Sequence, residues 1–202
     1  TRHQGGDGID NNDINGTDYT IGSDTALNTA LDAIDKIRDT ITSLERIFVV
    51  EVMGRHCGYI ALNVALAAGA EQVIIPERAF DINEMCQAIT EGYIRGKASW
   101  LVVVADGIIK AHEMAEKIKE RTDLETRTVV LGHIQRGGCP TAKDRILAAE
   151  LGEAAVDLLV RGESGLAVGI KGEEVNATPL EEAVKKKVLK TDHICSLIEV
   201  LT

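Results

Sequence analysis

The chain has 202 residues, 45% hydrophobic and 27% charged, enough for a sizeable core and far from the composition of a disordered segment. A formal net charge of −10 with no Lys/Arg-rich run argues against nucleic acid or an anionic membrane as the main partner. Cys57, Cys86, Cys139 and Cys195 are far apart with no C-x-x-C pair, so reduced thiols and a cytoplasmic protein are expected; no signal peptide or apolar run of membrane-spanning length is present.

Residues 1–22, rich in Gly, Asp, Asn and Thr, read as loop. Ala26, Ala30, Ile34, Ile37 and Ile41 recur at spacings of three and four and predict a helix over 23–44, with Ser23 as its N-cap. An apolar strand follows at 47–52, then a small-residue helix from about Gly58 to Ala68 with Gly69 as its stop. Residues 72–75 predict a short buried strand, and 82–94 a helix with Met85, Ile89 and Tyr93 inward. The continuous apolar run 100–105 predicts a strand covered on both faces. A helix over 109–121 and a strand over 127–131 come next. Further on, 141–160 reads as a long helix, 166–170 as a strand, and 179–188 as a helix capped by Thr178, while the tail 191–202 is ambiguous. The alternation predicts an α/β protein built on a mostly parallel sheet with helices on both faces.

One junction stands out. The strand 47–52 ends in Met53-Gly54-Arg55, and a helix starts near Gly58. Ligands of parallel sheets sit at the C-terminal strand ends, and helix N-termini favour anions. Arg55 adds a planar fork suited to phosphate, which points to a phosphorylated small molecule; the plain alternative is a surface arginine on an ordinary loop.

A second stretch, Gly5-Gly6-Asp7-Gly8-Ile9-Asp10-Asn11-Asn12-Asp13-Ile14-Asn15-Gly16-Thr17-Asp18, sets three carboxylates in a Gly-rich loop. Such a loop can hold Mg²⁺ together with substrate phosphates, and one carboxylate can take a proton from a hydroxyl. Calcium is a rival reading, but the EF-hand pattern fails at Gly22, where a Glu belongs. A solvated Asx-rich turn is the third.

Val-Glu-Val-Met-Gly-Arg-x-x-Gly, Gly-His-Ile-Gln-Arg-Gly-Gly and Asp-Ile-x-Gly-Thr-Asp-Tyr-Thr-Ile-Gly together resemble 6-phosphofructokinase of the bacterial, ATP-using type. The resemblance runs from about residue 5 to the C-terminus and implies a three-layer α/β fold, here truncated. It implies transfer of the ATP γ-phosphoryl to the 1-hydroxyl of fructose 6-phosphate, a glycolytic reaction, with Mg²⁺ as cofactor and ATP as co-substrate. It also implies roles for individual residues. Asp10 takes the hydroxyl's proton, Asp13 and Asp7 serve the metal, and Arg55 contacts the transferring phosphoryl group. Met53, Gly54, Asp106, His133 and Arg136 bind the sugar, while Arg46 and Arg127 reach the 6-phosphate in a neighbouring subunit's site. Arg38, Gly69, Glu71, Arg95 and Lys97 fall at an effector site for a nucleotide diphosphate or phosphoenolpyruvate. A homo-oligomer, tetrameric in the family, is expected.

The family's glycine-rich phosphate loop and most of its adenine pocket have no counterpart in these residues. The resemblance therefore divides the chain into a remnant catalytic and magnesium loop (1–22), a sugar-phosphate domain (23–134), C-terminal elements of the nucleotide domain (135–185) and a returning segment (186–202). The acidic loop carries one extra asparagine, Gly-Gly-Asp-Gly is fused to it, and Asp106 stands where the family has glutamate. Little or no ATP-dependent turnover is expected of the chain as it stands. Two alternatives remain open, a non-catalytic sugar-phosphate or effector-binding module and the pyrophosphate-dependent branch, against which Gly8 after Asp7 speaks.

Overall fold

The computed structural model describes residues 11–41, 46–97 and 99–201. They form two compact units, one comprising Leu27–Gln135 with Leu189–Thr202 and the other Thr1–Ala26 with Arg136–Val188.

The larger unit is built on four parallel strands, β1 (Ile47–Val52), β2 (Gln72–Ile74), β3 (Trp100–Ala105) and β4 (Thr126–Val130), in the order β2-β3-β1-β4. β1 and β3 lie side by side in the middle and every residue of both is buried, which is why they read as unbroken apolar runs. Successive side chains point to opposite faces. Val49, Val102 and Val104 pack with Met85, Ile89, Met114 and Ile118 of α3 (Ile82–Ile94) and α4 (Ala111–Thr122). Beyond the opposite face lie α2 (Tyr59–Ala68) and, against it, α7 (Asp192–Leu201), so the ambiguous tail is a helix. Arg78 joins Glu199 of α7 at 2.8 Å, and that hydrogen bond holds the guanidinium above its usual pKa.

Several expectations change in detail. Gly69 ends α2 in the left-handed conformation (φ 60°) as expected. β2 is a half-buried edge strand of three residues. Tyr93 is 45% exposed, not inward. Gly92 takes the inward position instead, so close under Trp100 that a Cβ there would fall 2.4 Å from its ring.

The smaller unit holds the first turn of α1 (Ser23–Ile41), the long α5 (Ala142–Val160), an antiparallel hairpin of β5 (Leu166–Lys171) and β6 (Glu174–Pro179), and the one-turn α6 (Leu180–Ala183). The expected helix over 179–188 shrinks to these four residues, and Thr178 is a strand residue rather than a cap. Nor does Ser23 cap α1: its hydroxyl donates to the Thr20 carbonyl at 2.8 Å. Capping comes from α5, where the buried Asp144 accepts from the Gly22 and Thr25 N–H groups at 2.9 and 2.8 Å and from the Thr25 hydroxyl. Residues 42–44 of the expected helix lie outside the described residues.

Candidate functional site

Because the sheet is parallel, the C-terminal ends of β3, β1 and β4 share one rim, and each continues into a loop carrying candidate residues: Asp106 after β3, Met53-Gly54-Arg55 after β1, and the 3-10 turn Gly132–Arg136 after β4. Backbone bonds prolong the ladder into these loops, from Asp106 N–H to Val52 O at 2.9 Å and from Leu131 N–H to Glu51 O at 3.0 Å.

Two consecutive N–H groups of the central turn are then taken by side chains from the flanking loops. Met53 N–H donates to Gln135 Oε1 at 3.1 Å, and Gly54 N–H donates to Asp106 Oδ1 at 3.0 Å. Gln135 is wholly buried, and its Nε2 has no partner among the described residues. The β3–α4 loop is itself held from β1. The buried Glu51 carboxylate accepts from Ala111 N–H at 2.8 Å, capping α4, and from Lys110 Nζ at 3.2 Å, while Lys110 also donates to the Asp106 carbonyl at 2.9 Å.

Beside this fixed turn, Arg55 and His133 are exposed and meet no hydrogen-bond or ion-pair partner among the described residues. Arg136 ends the 3-10 turn, is partly buried, and belongs to the smaller unit. The anion site expected at the start of α2 is already filled from within: Gly58 N–H donates to both oxygens of Glu77, at 2.9 and 3.1 Å. The case for a phosphate ligand thus passes from that helix end to the cationic side chains.

Arg46 and Arg127 lie elsewhere. Arg46 precedes β1 and Arg127 is the second residue of β4, so both sit at the opposite, N-terminal end of the sheet. At about 3.3 Å per residue Arg46 stands on the order of 25 Å from Gly54, beyond the reach of any side chain. The two arginines nevertheless meet each other on Glu125, whose Oε2 accepts from Arg46 Nε at 2.8 Å and whose Oε1 accepts from Arg127 Nη2.

A third group gathers at the α2–β2 turn. Arg38 donates to the Gly69 carbonyl at 2.9 Å. Glu71 accepts from Leu101 N–H at 2.6 Å and pairs with Lys97 at 3.1 Å, and Lys97 lies 4.9 Å over the Trp100 ring. Arg95 instead faces Glu91 on its own helix, at 3.8 Å.

Of the acidic loop, Asp7 and Asp10 lie outside the described residues, and Asp13 lies within them. Among the described residues no three His, Cys, Asp or Glu side chains gather as metal ligands. The extra asparagine is absorbed in a turn. Asn12 takes a left-handed φ of 55° and is buried, its Nδ2 donating to the Asp18 carbonyl at 2.8 Å and its Oδ1 accepting from Lys187 at 3.0 Å. No helix among the described residues is long and apolar enough to cross a membrane.

The sequence profile of the phosphofructokinase family matches residues 7–159. The chain belongs to that family. It is 54% identical over 177 residues to the ATP-dependent 6-phosphofructokinase of Alkaliphilus metalliredigens, covering 88% of this chain and 56% of that one. Identity is also 54%, over 182 residues, to ATP-dependent 6-phosphofructokinase 1 of Thermus thermophilus, with 89% and 56% covered. Among solved structures, phosphofructokinase from Saccharomyces cerevisiae superposes with a TM-score of 0.81 at 35% identity, over 96% of this chain and 27% of that one. A pyrophosphate-dependent phosphofructokinase from Nitrosospira multiformis, at 24% identity and a TM-score of 0.77, shares the fold. The chain spans 56% of the length of the curated relatives named here.

Sequence reasoning passed over Gln135, Glu51 and Glu125. Glu51 did leave a signal, a carboxylate inside a buried apolar strand, which must be paired. Gln135 lies within a quoted motif, but its acceptor role depends on a turn 82 residues away.

Proposed function

We propose that the chain is the sugar-phosphate-binding part of an ATP-dependent 6-phosphofructokinase, the phosphotransferase that moves the ATP γ-phosphoryl onto the 1-hydroxyl of fructose 6-phosphate. The observation that carries this reading is the Met53–Gly54 turn, tied through both N–H groups, with the Arg55 guanidinium and the His133 imidazole beside it, both without a partner among the described residues. A backbone fixed in this way costs nothing to reorganise when a polar ligand arrives, and an exposed guanidinium with an imidazole donor suits a phosphate ester. In this reading Met53, Gly54, His133 and Arg136 contact the sugar. Asp106 offers it the carboxylate oxygen that Gly54 leaves free. Arg55 meets the phosphoryl group in transfer, and Asp10 accepts the hydroxyl proton. Mg²⁺ and ATP are required, the ion falling to Asp7 and Asp13.

Arg46 and Arg127, at the far end of the sheet, would complete the 6-phosphate site of a neighbouring copy, which makes the functional form a homo-oligomer. The cluster of Arg38, Gly69, Glu71 and Lys97 supports a second, effector site for a nucleotide diphosphate or phosphoenolpyruvate, with Arg95 free to turn from Glu91.

Calorimetry with fructose 6-phosphate tests the sugar site; absence of binding overturns this reading. A coupled assay with fructose 6-phosphate and MgATP is expected to show little or no turnover, as is the same assay with pyrophosphate. Turnover with pyrophosphate alone would favour that branch instead. Titration with ADP and phosphoenolpyruvate checks the effector site.

A further inference from the structure

Arg46 and Arg127 both close on one carboxylate. Glu125 gives one oxygen to each guanidinium, Oε2 to Arg46 Nε at 2.8 Å and Oε1 to Arg127 Nη2, so two cations are bridged across a single anionic group. The bridge is anchored in the sheet, because the Glu125 carbonyl accepts from Ile47 N–H at 3.0 Å and the Arg46 carbonyl from Trp100 N–H at 3.3 Å. Neither arginine has another ion-pair partner among the described residues, and each commits one of its five N–H donors. Side-chain exposures of 27% for Arg46, 47% for Glu125 and 55% for Arg127 leave the group open to a dissolved anion.

Two oxygens of one anion, each held by a separate guanidinium, is also how a phosphate group would engage this pair. We propose that Glu125 is a placeholder anion, holding Arg46 and Arg127 together in the absence of ligand and giving way to an incoming phosphate group. The inference rests on the reading of the two arginines as a phosphate-binding pair. Its consequence is selectivity. An exposed ion pair is weak enough to be displaced, but only a ligand that binds the pair better than a carboxylate does will displace it. A phosphate dianion, with twice the charge and three terminal oxygens, meets that condition, and a singly charged carboxylate does not. The hydrogen bond from Arg46 also keeps the Glu125 carboxyl below the usual carboxylate range, so the placeholder stays ionised near neutrality.

The test is a titration of ¹⁵N-labelled protein with inorganic phosphate, fructose 6-phosphate and acetate, following the arginine Nε–H signals, on the wild type and on Glu125→Gln, Arg46→Ala and Arg127→Ala. Expected are a shift of the Arg46 Nε–H signal with phosphate but not with acetate in the wild type, and loss of phosphate binding in either alanine variant. Glu125→Gln, which removes one negative charge next to the pair, is expected to bind phosphate about five- to tenfold more tightly and to respond to acetate as well. Unchanged or weaker phosphate binding in Glu125→Gln, with binding still lost in the alanine variants, overturns the placeholder and leaves the arginine pair standing as a site. Wild-type arginine signals that ignore phosphate, or alanine variants that bind it normally, overturn the site itself. Glu125 and Arg127 are exposed and Arg46 is partly buried, and thermal denaturation of each variant verifies that the fold is retained.

Discussion

Gly107 lies directly against the backbone of Arg55: a Cβ at position 107 would fall 2.0 Å from the Arg55 carbonyl oxygen and 2.5 Å from its Cα. The neighbouring Asp106 already holds Gly54 N–H, so the β3–α4 loop and the turn after β1 form one packed layer. Gly107→Ala must push that turn out of place, because the obstructing atoms are backbone and cannot rotate away. A loss of about 1–3 kcal/mol in stability is expected, the usual cost of overpacking. Fructose 6-phosphate affinity should fall at least about tenfold, since displacement of about 1 Å is enough for large functional losses. Urea denaturation and calorimetry measure the two effects separately.

Gln135 holds the same turn from the other side. Gln135→Leu removes the acceptor of Met53 N–H but also removes a buried donor that has no partner among the described residues, so the two terms oppose each other in stability. A net change within about 1 kcal/mol is expected, against a desolvation cost of about 1–3 kcal/mol for each unsatisfied group. Sugar-phosphate affinity has no such offset and should drop about tenfold. Hydrogen exchange at the Met53 amide, slow in the wild type and fast in the variant, ties that drop to this bond.

The central strands, the order of the elements and the motif residues are all legible in the chain, because apolar runs such as Trp100–Ala105 record burial on both faces and the motifs are local. What could not be read depends on partners distant in sequence. Ser23 has the chemistry of a cap, yet the cap is Asp144, 119 residues from the Thr25 it serves. Leu180 to Val188 has strong helix formers, yet β6 runs on to Pro179 because Asn176 is held by the Gly16 carbonyl at 2.8 Å and β5 lies alongside. Tyr93 matched a helical period, but the Trp100 ring above left room only for Gly92. Arg46 and Arg127 are grouped by the family resemblance, but nothing in the sequence marks Glu125 as the carboxylate that joins them.

Asp144 makes a sharper stability prediction than any apolar residue of the smaller unit. It is 3% exposed and accepts from two N–H groups and a hydroxyl at the start of α1. Asp144→Ala strands these donors, and a loss of about 2–4 kcal/mol is expected from bonds to a charged group. Asp144→Asn, which keeps one acceptor oxygen, should recover about half. Denaturant midpoints of the two variants give the comparison.

Acid dependence follows from Glu125. Its folded pKa is depressed, chiefly by the Arg46 hydrogen bond, so the folded state binds fewer protons here than the unfolded chain does near the ordinary carboxylate pKa of about 4.3. The contribution is therefore complete above that value and is lost as pH falls through the lower, folded pKa. Stability of Glu125→Gln should accordingly be less acid-sensitive below about pH 4.3 than that of the wild type. Thermal denaturation between neutrality and acid pH checks the sign; equal slopes would show that the ion pair is not formed in solution.

The thiols should separate by accessibility. Cys139 is exposed in the loop before α5, whereas Cys57, Cys86 and Cys195 are buried, and burial pushes the Cys86 thiol above its usual pKa. Iodoacetamide at neutral pH is expected to label Cys139 first, with the other three reacting only when the fold opens. Peptide mapping against time in native and denaturing buffer distinguishes them, and early labelling of Cys86 would contradict its placement in the core beside α4.

The last turn of α5 carries the chain's clearest association risk. Val156, Leu159 and Val160 are 58%, 68% and 81% exposed, and Ile146 earlier on the helix is 59% exposed, while α5 buries little beyond Asp144, Leu147 and Leu151. A helix that presents this many large apolar side chains to water gains free energy by covering them, at about 25 cal/mol per Å² of apolar surface removed from solvent. Concentration-dependent association is therefore expected in sedimentation velocity. The double variant Leu159→Glu, Val160→Lys should weaken it without lowering the melting temperature, since neither side chain is packed in the described structure. A chain that stays monomeric at high concentration would overturn the predicted association, and a double variant that associates as the wild type does would place the contact on a different surface.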